Sequence, residues 1–298
     1  MKTSNNTYIL GGLFVLLAAA TACTEDMATS GAVPMEEGTP LRILASIDGT
    51  VTRTAPDADI YDRRSFVVND VIRIARTSGG STSNVDYQLT AVTMGDAQWT
   101  AVGGGSGFAY QSAATYAAFY PADYNGILTD QSTAEGFRMS NRLGTEADVK
   151  TTNVQLNLTL KHSNSKVTLN LEGNITALFP TLSLKGTGIR TGGSAEESVR
   201  PLRLDDDTNS WCAILLPPSS GSRTIDLTLS YTGTDSEGEY TITYTGSVAC
   251  ECVANTHYTY KLTVENDKLI LRESGIEGWT DAGDDEGGYT GDFNNQTS

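Results

Sequence analysis

Two residue types on which polar chemistry depends are scarce in this chain, which has two histidines and four cysteines in 298 residues. Nucleophilic catalysis needs a base held beside the nucleophile, and a structural zinc site needs four converging ligands. His162 and His257 both lie beside strand-like sequence, so each is expected to be a strand-end histidine making one hydrogen bond rather than a catalytic base. A sustained helical apolar period is also missing after the first 22 residues. Proline (8) is rare beside glycine (30), and Thr, Ser and Tyr are plentiful, which is the composition of short strands joined by turns. Basic residues are few, 20 Lys and Arg against 36 Asp and Glu, giving a net charge of -16. Such acidity argues against nucleic acid or an anionic membrane surface as a direct partner, because both would be repelled.

The first 53 residues govern how the rest is read. Lys2 and an apolar run at residues 9–20, broken by Gly11 and Gly12, make a stretch too short to span a bilayer but right for a signal peptide over residues 1–22. The small residues Ala20, Thr21 and Ala22 precede Cys23, an arrangement that resembles a bacterial lipoprotein cleavage box in which Cys23 becomes the acylated first residue. Ala20 stands where such boxes usually have Leu, and Thr24, Glu25 and Asp26 resemble the acidic segment that sends Bacteroidota lipoproteins to the cell surface. Plain secretion is the alternative. One lipid chain binds a membrane only marginally, so stable anchoring in outer-membrane lipid needs several.

Residues 24–39 read as a polar tether. Leu41, Ile43, Ala45 and Ile47 then fall on one face of a strand at period two, a strand that needs a sheet to belong to. Further strands are expected at 66–75, 85–92, 97–101 and 115–121, followed by a polar region at 125–150 where the domain change is placed. The cleanest alternation opens the second half, with Val154, Leu156, Leu158 and Leu160 inward, and resumes with Val167, Leu169 and Leu171 as the far arm of a hairpin or of one long bent strand. Strands at 182–185, 199–204, 211–216, 224–231, 240–248, 257–264 and 268–272 complete an antiparallel sandwich pattern. The expected organisation is a leader at 23–53, an N-terminal β-sandwich domain at 54–150, a C-terminal one at 151–280 and an acidic tail at 281–298.

Sites for chemistry are sparse. The glycine-rich stretch at 103–107 lacks the Lys, the Ser or Thr and the following helix of a phosphate-cradling loop. Cys250 and Cys252 share a strand face, and with Cys212 and His257 they offer four candidate metal ligands, but at a spacing unlike that of zinc knuckles. Asp205, Asp206 and Asp207 and the acidic residues at 281–286 lack the spacing of a calcium loop. The expectation is no metal, no cofactor and no enzymatic activity.

In their order along the chain, several segments together resemble the fimbrillin family of Bacteroidota, the subunits of type V pili. They are the lipoprotein leader, the Thr52-Arg53 pair, and Phe66, Asn69, Asp70 and Ile72 in a Phe-x-x-Gly-Asp-x-Ile pattern where Asn69 replaces Gly. After these come Trp99, the aromatic run ending in Tyr120 and Pro121, His162 with Ser165, Lys166 and Val167, and finally Asn255, Tyr258 and Tyr260 ahead of Ile276 and Trp279. The resemblance implies two transthyretin-like antiparallel β-sandwich domains in tandem, in an all-β chain exported as a lipoprotein. It also implies cleavage by an Arg-specific protease, at Arg53 or secondarily at Arg63 or Arg64, that removes the strand formed by Leu41, Ile43, Ala45 and Ile47. The vacated groove then accepts a strand from another fimbrial subunit by β-augmentation. On this reading the protein is a stalk or tip subunit of a surface fimbria. The alternatives are an uncleaved anchor, or a non-polymerising surface lipoprotein that binds glycan or host protein through aromatic residues at 116–124.

Overall fold

The computed structural model describes residues 36–47, 65–93, 96–172, 180–204 and 209–279. Cys23, Arg53, Arg63, Arg64, Asp205, Asp206, Asp207 and the acidic tail lie outside these residues.

The first sheet is built from β1 (Arg42–Ile47), β2 (Val71–Ser78), β3 (Ser81–Thr93), β4 (Asp96–Ala101), β5 (Thr115–Tyr120), β6 (Leu143–Gly144) and β7 (Gln155–His162), in the order β1-β7-β6-β5-β2-β3-β4. At Gly79-Gly80, φ angles of 57° and 78° allow a two-residue hairpin between β2 and β3. β4, at the far end of the order, returns beside β1, so the sheet curls back towards its own first strand. The apolar residues on alternate positions of all these strands then share one core, which includes Ile72, Leu89, Phe108, Tyr116, Leu143 and Leu158.

The second sheet comprises β8 (Ser165–Glu172), β9 (Thr181–Thr187), β10 (Glu196–Val199), β11 (Leu202–Arg203), β12 (Ser210–Leu215), β13 (Arg223–Asp235), β14 (Gly238–Cys250), β15 (Thr256–Glu265) and β16 (Lys268–Gly278). Their order is β10-β9-β13-β14-β16-β15-β8-β12-β11. Only one residue pair, Thr245 with Lys268, links β14 to β16, so the nine strands fold into two layers around a shared core. Leu184 and Leu227 enter that core from one layer, and Leu169, Trp211 and Tyr260 enter it from the other. The architecture is all-β, with two curled sheets in tandem, each closed on its own apolar interior.

Several elements differ from the sequence expectation. Residues 66–70 form a turn rather than the start of a strand, because Asp70 closes it: its backbone N–H donates to Val67 O (3.0 Å) and its carboxylate accepts from Val67 N (2.8 Å). A seven-residue helix, α1 (Ala134–Ser140), sits in the region read as polar loop, capped by Thr133 Oγ1 accepting from Gly136 N. The strand expected at 199–204 is split into β10 and β11 around Pro201, which has no N–H to give to a ladder. β16 continues six residues past Arg272, to Gly278.

β7 and β8 make no hairpin with each other. β7 pairs with β1 and β6 in the first sheet, β8 pairs with β12 and β15 in the second, and the chain passes between sheets at Ser163 and Asn164. The sequence boundary at 150–151 therefore falls ahead of a strand that completes the first sheet. Alternation continues through both strands and marks an inward face without saying which sheet owns it.

Candidate functional site

β1 lies at the end of the first sheet's strand order and pairs in parallel with β7, with Arg42 opposite Gln155 and Ile47 opposite Leu160. Period-two patterning turns Ile43, Ala45 and Ile47 inward, and they are 2%, 4% and 0% exposed. Leu41 is half-buried at the mouth of the same row, and Arg42 faces solvent. Opposite this row stand Leu156, Leu158 and Leu160, all at 1% exposure or less. Burying the two isoleucines stabilises the strand by about 1.5–3 kcal/mol each.

The segment before β1 is tied down on its other flank. Leu41 N donates to Phe108 O (2.9 Å), Tyr110 N to Thr39 O (2.7 Å) and Gly38 N to Tyr110 O (3.0 Å). Glu37 Oε1 accepts from Ser112 N (2.8 Å), and hydrogen bonding to the Ser112 side chain, with this backbone contact, holds the exposed Glu37 carboxyl below its ordinary value near 4.5. Together these contacts make residues 36–47 an insert between β7 and the chain at 108–112. Without it, one edge of β7 and the leucine row would lie open. What the arrangement can do chemically is bind an extended peptide, since a free strand edge offers N–H and C=O groups and the row below offers apolar pockets.

Two segments of the resemblance that lie more than 100 residues apart in sequence meet at the junction of the sheets. His162, at the end of β7, stacks on Trp279 with ring centroids 3.7 Å apart and planes 7° from parallel, and its Nδ1 is paired with Asn141 Oδ1 at 2.8 Å. Trp279 is 2% exposed and packs in a separate apolar cluster with Ile127, Phe137, Leu202, Cys212 and Ile214. Asn164 carries the next links: its Nδ2 donates to Ser140 O (3.0 Å) and its carbonyl accepts from Asn255 N (3.0 Å). Gln131 reaches the edge of β12, where its side-chain amide both donates to Ile214 O (2.9 Å) and accepts from Ile214 N (2.8 Å).

The remaining candidates do not assemble into a reactive centre. Cys212 belongs to the junction cluster, whereas Cys250 and Cys252 belong to the interior of the second sandwich, so alternate faces of the sheet separate them. Cys252 N donates to Cys250 Sγ (3.2 Å), and contact between the two thiols pushes Cys250 down and Cys252 up. His257 instead contacts Thr168 Oγ1 through Nε2 (2.8 Å) and Glu277 Oε1 through Nδ1 (2.6 Å). Among the described residues no group of three His, Cys, Asp or Glu side chains is placed to hold a metal ion. No helix among them is long and apolar enough to cross a membrane.

The aromatic stretch at 116–124 departs from the expected contact surface. Tyr116 and Tyr120 are 0% and 2% exposed because they point into the core with Phe108 and Phe66. Phe119 and Tyr124 face outward but are half-buried, with the Arg142 guanidinium 5.4 Å from one ring centre and 5.7 Å from the other. Sequence reasoning missed Gln131 and α1, since a single glutamine in a polar run carries no periodic signal.

Comparison with known proteins gives the same architecture. A putative cell adhesion protein from Bacteroides uniformis is 18% identical with a TM-score of 0.50, covering 80% of this chain and 99% of its own. One from Bacteroides ovatus is 15% identical, also at 0.50, over 82% and 99%. The tip fimbrial protein Mfa3 from Porphyromonas gingivalis, with C-terminal truncation, is 11% identical at 0.41, over 80% and 99%. No curated protein sequence matches. The sequence profile described as Fimbrillin-like matches residues 52–279, from the Thr-Arg pair to the tryptophan that stacks on His162. Through that match, which spans most of its length, the chain belongs to the fimbrillin-like family.

Proposed function

We propose that this protein is a structural or adhesive subunit of a cell-surface fimbria, exported as a lipoprotein through Cys23 and assembled by strand exchange after cleavage at Arg53. The observation that carries the proposal is the position of β1. It is a strand with a fully apolar inner face, inserted between β7 and residues 108–112, yet it precedes the family-matched region, which begins at Thr52. A segment outside the family body but inside its core has the character of a removable plug. Family membership supports a surface location, fimbrial partners and a structural rather than catalytic role.

β16 bears on where in the polymer the subunit sits. It lies between β15 and β14 in the second sheet, paired with β15 along its length, and Leu269 and Trp279 at its two ends are 5% and 2% exposed. Donating this strand would open both the second core and the junction. That favours a position at the tip of a polymer, where a subunit cleaved at Arg53 accepts a strand without donating one, over a repeating stalk position.

The test is to treat the full chain with an Arg-specific protease and follow the product on gels under mild denaturation, in mixtures with fimbrial subunits from the same cells. Trimming near Arg53 followed by denaturant-resistant ladders is expected, with both lost in Arg53→Ala. A trimmed product that stays monomeric in every mixture would sink the assembly role.

A further inference from the structure

A cleft of about 540 Å³ opens on the first sheet where the turn at 67–71 meets the end of β5 and the Arg138 side chain of α1. This volume falls within the range of roughly 300–1,000 Å³ typical of small-molecule sites. Its framework is rigid. Asp70, 7% exposed, accepts from Val67 N (2.8 Å) and from the Tyr120 hydroxyl (3.1 Å), which locks the turn to the strand. Asn69 is held at φ 80° on top of that turn, with its Oδ1 accepting from Gln88 Nε2 (3.3 Å), so its own amide N–H groups remain as donors.

Charge in the cleft is compensated in place. Asp86 grips Arg73 through Nε (2.6 Å) and Nη2 (2.9 Å), and among the described residues Nη1 of that guanidinium has no hydrogen-bond partner. Glu135 fixes Arg138 in the same two-pronged way, at 2.9 and 2.7 Å. Asp123 on the rim is exposed, with Arg73 as its charged neighbour. Two guanidinium groups therefore face the carboxylates of Asp70, Asp86 and Asp123 in the lining, in a chain of net charge -16. An anionic ligand gains nothing there. What remains on offer is a set of donors (Arg73 Nη1, Asn69 Nδ2) beside an acceptor (Asp123), against the apolar side chain of Val68, 43% exposed, with Pro121 buried in the floor. Vicinal hydroxyls, each donor and acceptor at once, on a ring with an apolar C–H face match that set.

We propose that this cleft binds one or two pyranose units of a neutral glycan, with Arg73, Asn69 and Asp123 bonding the hydroxyls and Val68 packing on the ring. The proposal stands apart from strand exchange, because the cleft is built from β2, β3, β5 and α1 and includes no residue of β1.

Calorimetric and NMR titrations of the full chain with maltohexaose, mannohexaose, xylohexaose and an acidic oligogalacturonide test it. At least one neutral hexaose is expected to bind saturably at up to roughly 10 mM, the weak end of specific recognition. Binding should weaken about tenfold in Asp123→Ala and in Asn69→Gly, each of which removes a hydrogen-bonding group. Both changes are chosen to spare the fold, since Asp123 is exposed and glycine suits a φ of 80°. Unchanged ladder formation by both variants after Arg-specific cleavage keeps the two proposals distinct. No saturable binding by any neutral hexaose, tighter binding of the oligogalacturonide, or binding indifferent to both substitutions would overturn the glycan site.

Discussion

Asp70 holds two donors at once, the backbone of Val67 and the hydroxyl of Tyr120, at a position with 7% exposure. Replacing it by Ala strands both donors, and a buried donor without a partner costs about 1–3 kcal/mol. Asp70→Ala is therefore expected to lower unfolding stability by about 3 kcal/mol, and Tyr120→Phe by about 1 kcal/mol, as read by urea titration. Equal losses in the two variants would contradict the shared-acceptor geometry. Glu37 makes a different prediction, one of pH. Its folded carboxyl titrates below its ordinary value near 4.5 because the Ser112 side chain, and with it the Ser112 N–H, bonds the ionised form. The contact is thus fully present above about pH 5 and is lost as pH falls through the depressed folded value. NMR titration of the Ser112 amide should show an inflection below the ordinary carboxylate value, and that inflection should vanish in Glu37→Gln.

Among the elements, β1 is the one whose removal should leave the rest intact. Ile47→Ala is expected to cost the full-length chain about 2–5 kcal/mol, the range for a buried aliphatic side chain cut to Ala. In protein cut at Arg53 and freed of the leader, the same substitution has no residue to act on, so wild-type and variant products should unfold at the same temperature. A difference persisting after cleavage would show that the leader stays bound. Much of this was legible in the sequence: alternation at Ile43, Ala45 and Ile47 marks a strand with one buried face, and so does that at Leu156, Leu158 and Leu160. Three things were not legible. The apolar run from Phe66 looks like a strand until Asp70 folds back on Val67, which is a tertiary-scale choice made by one carboxylate. α1, at seven residues, is too short for a 3.6-residue period to register. Arg272, Glu273 and Ser274 read as the end of β16, yet pairing with Thr263, Lys261 and Tyr260 carries the strand on to Gly278.

For the molecule as a whole, the junction decides whether two sandwiches behave as one. Residues 127–141, which leave the first sheet between β5 and β6, pack Ile127 and Phe137 against Cys212 and Ile214 on β12, and Trp279 closes that cluster while stacking on His162. A single cooperative transition is expected in calorimetry. Trp279→Ala removes a fully packed aromatic ring at a cost of about 3–5 kcal/mol and should split the transition into two, while Trp279→Phe retains the stack and should keep one. One unbroken transition in Trp279→Ala would mean that the remaining junction contacts, Ile127 and Phe137 against β12 and the hydrogen bonds of Gln131 and Asn164, suffice to couple the halves.

The parallel pairing of β1 with β7 has a further consequence for the order of folding. β1 is synthesised first yet has no strand to pair with until β7 follows, because Arg42 waits for Gln155 and Ile47 for Leu160, with every other strand of the first sheet made in between. Contacts so distant in sequence form late. The first strand made is then among the last to dock, closing a gap between β7 and residues 108–112 that the rest of the sheet has already shaped.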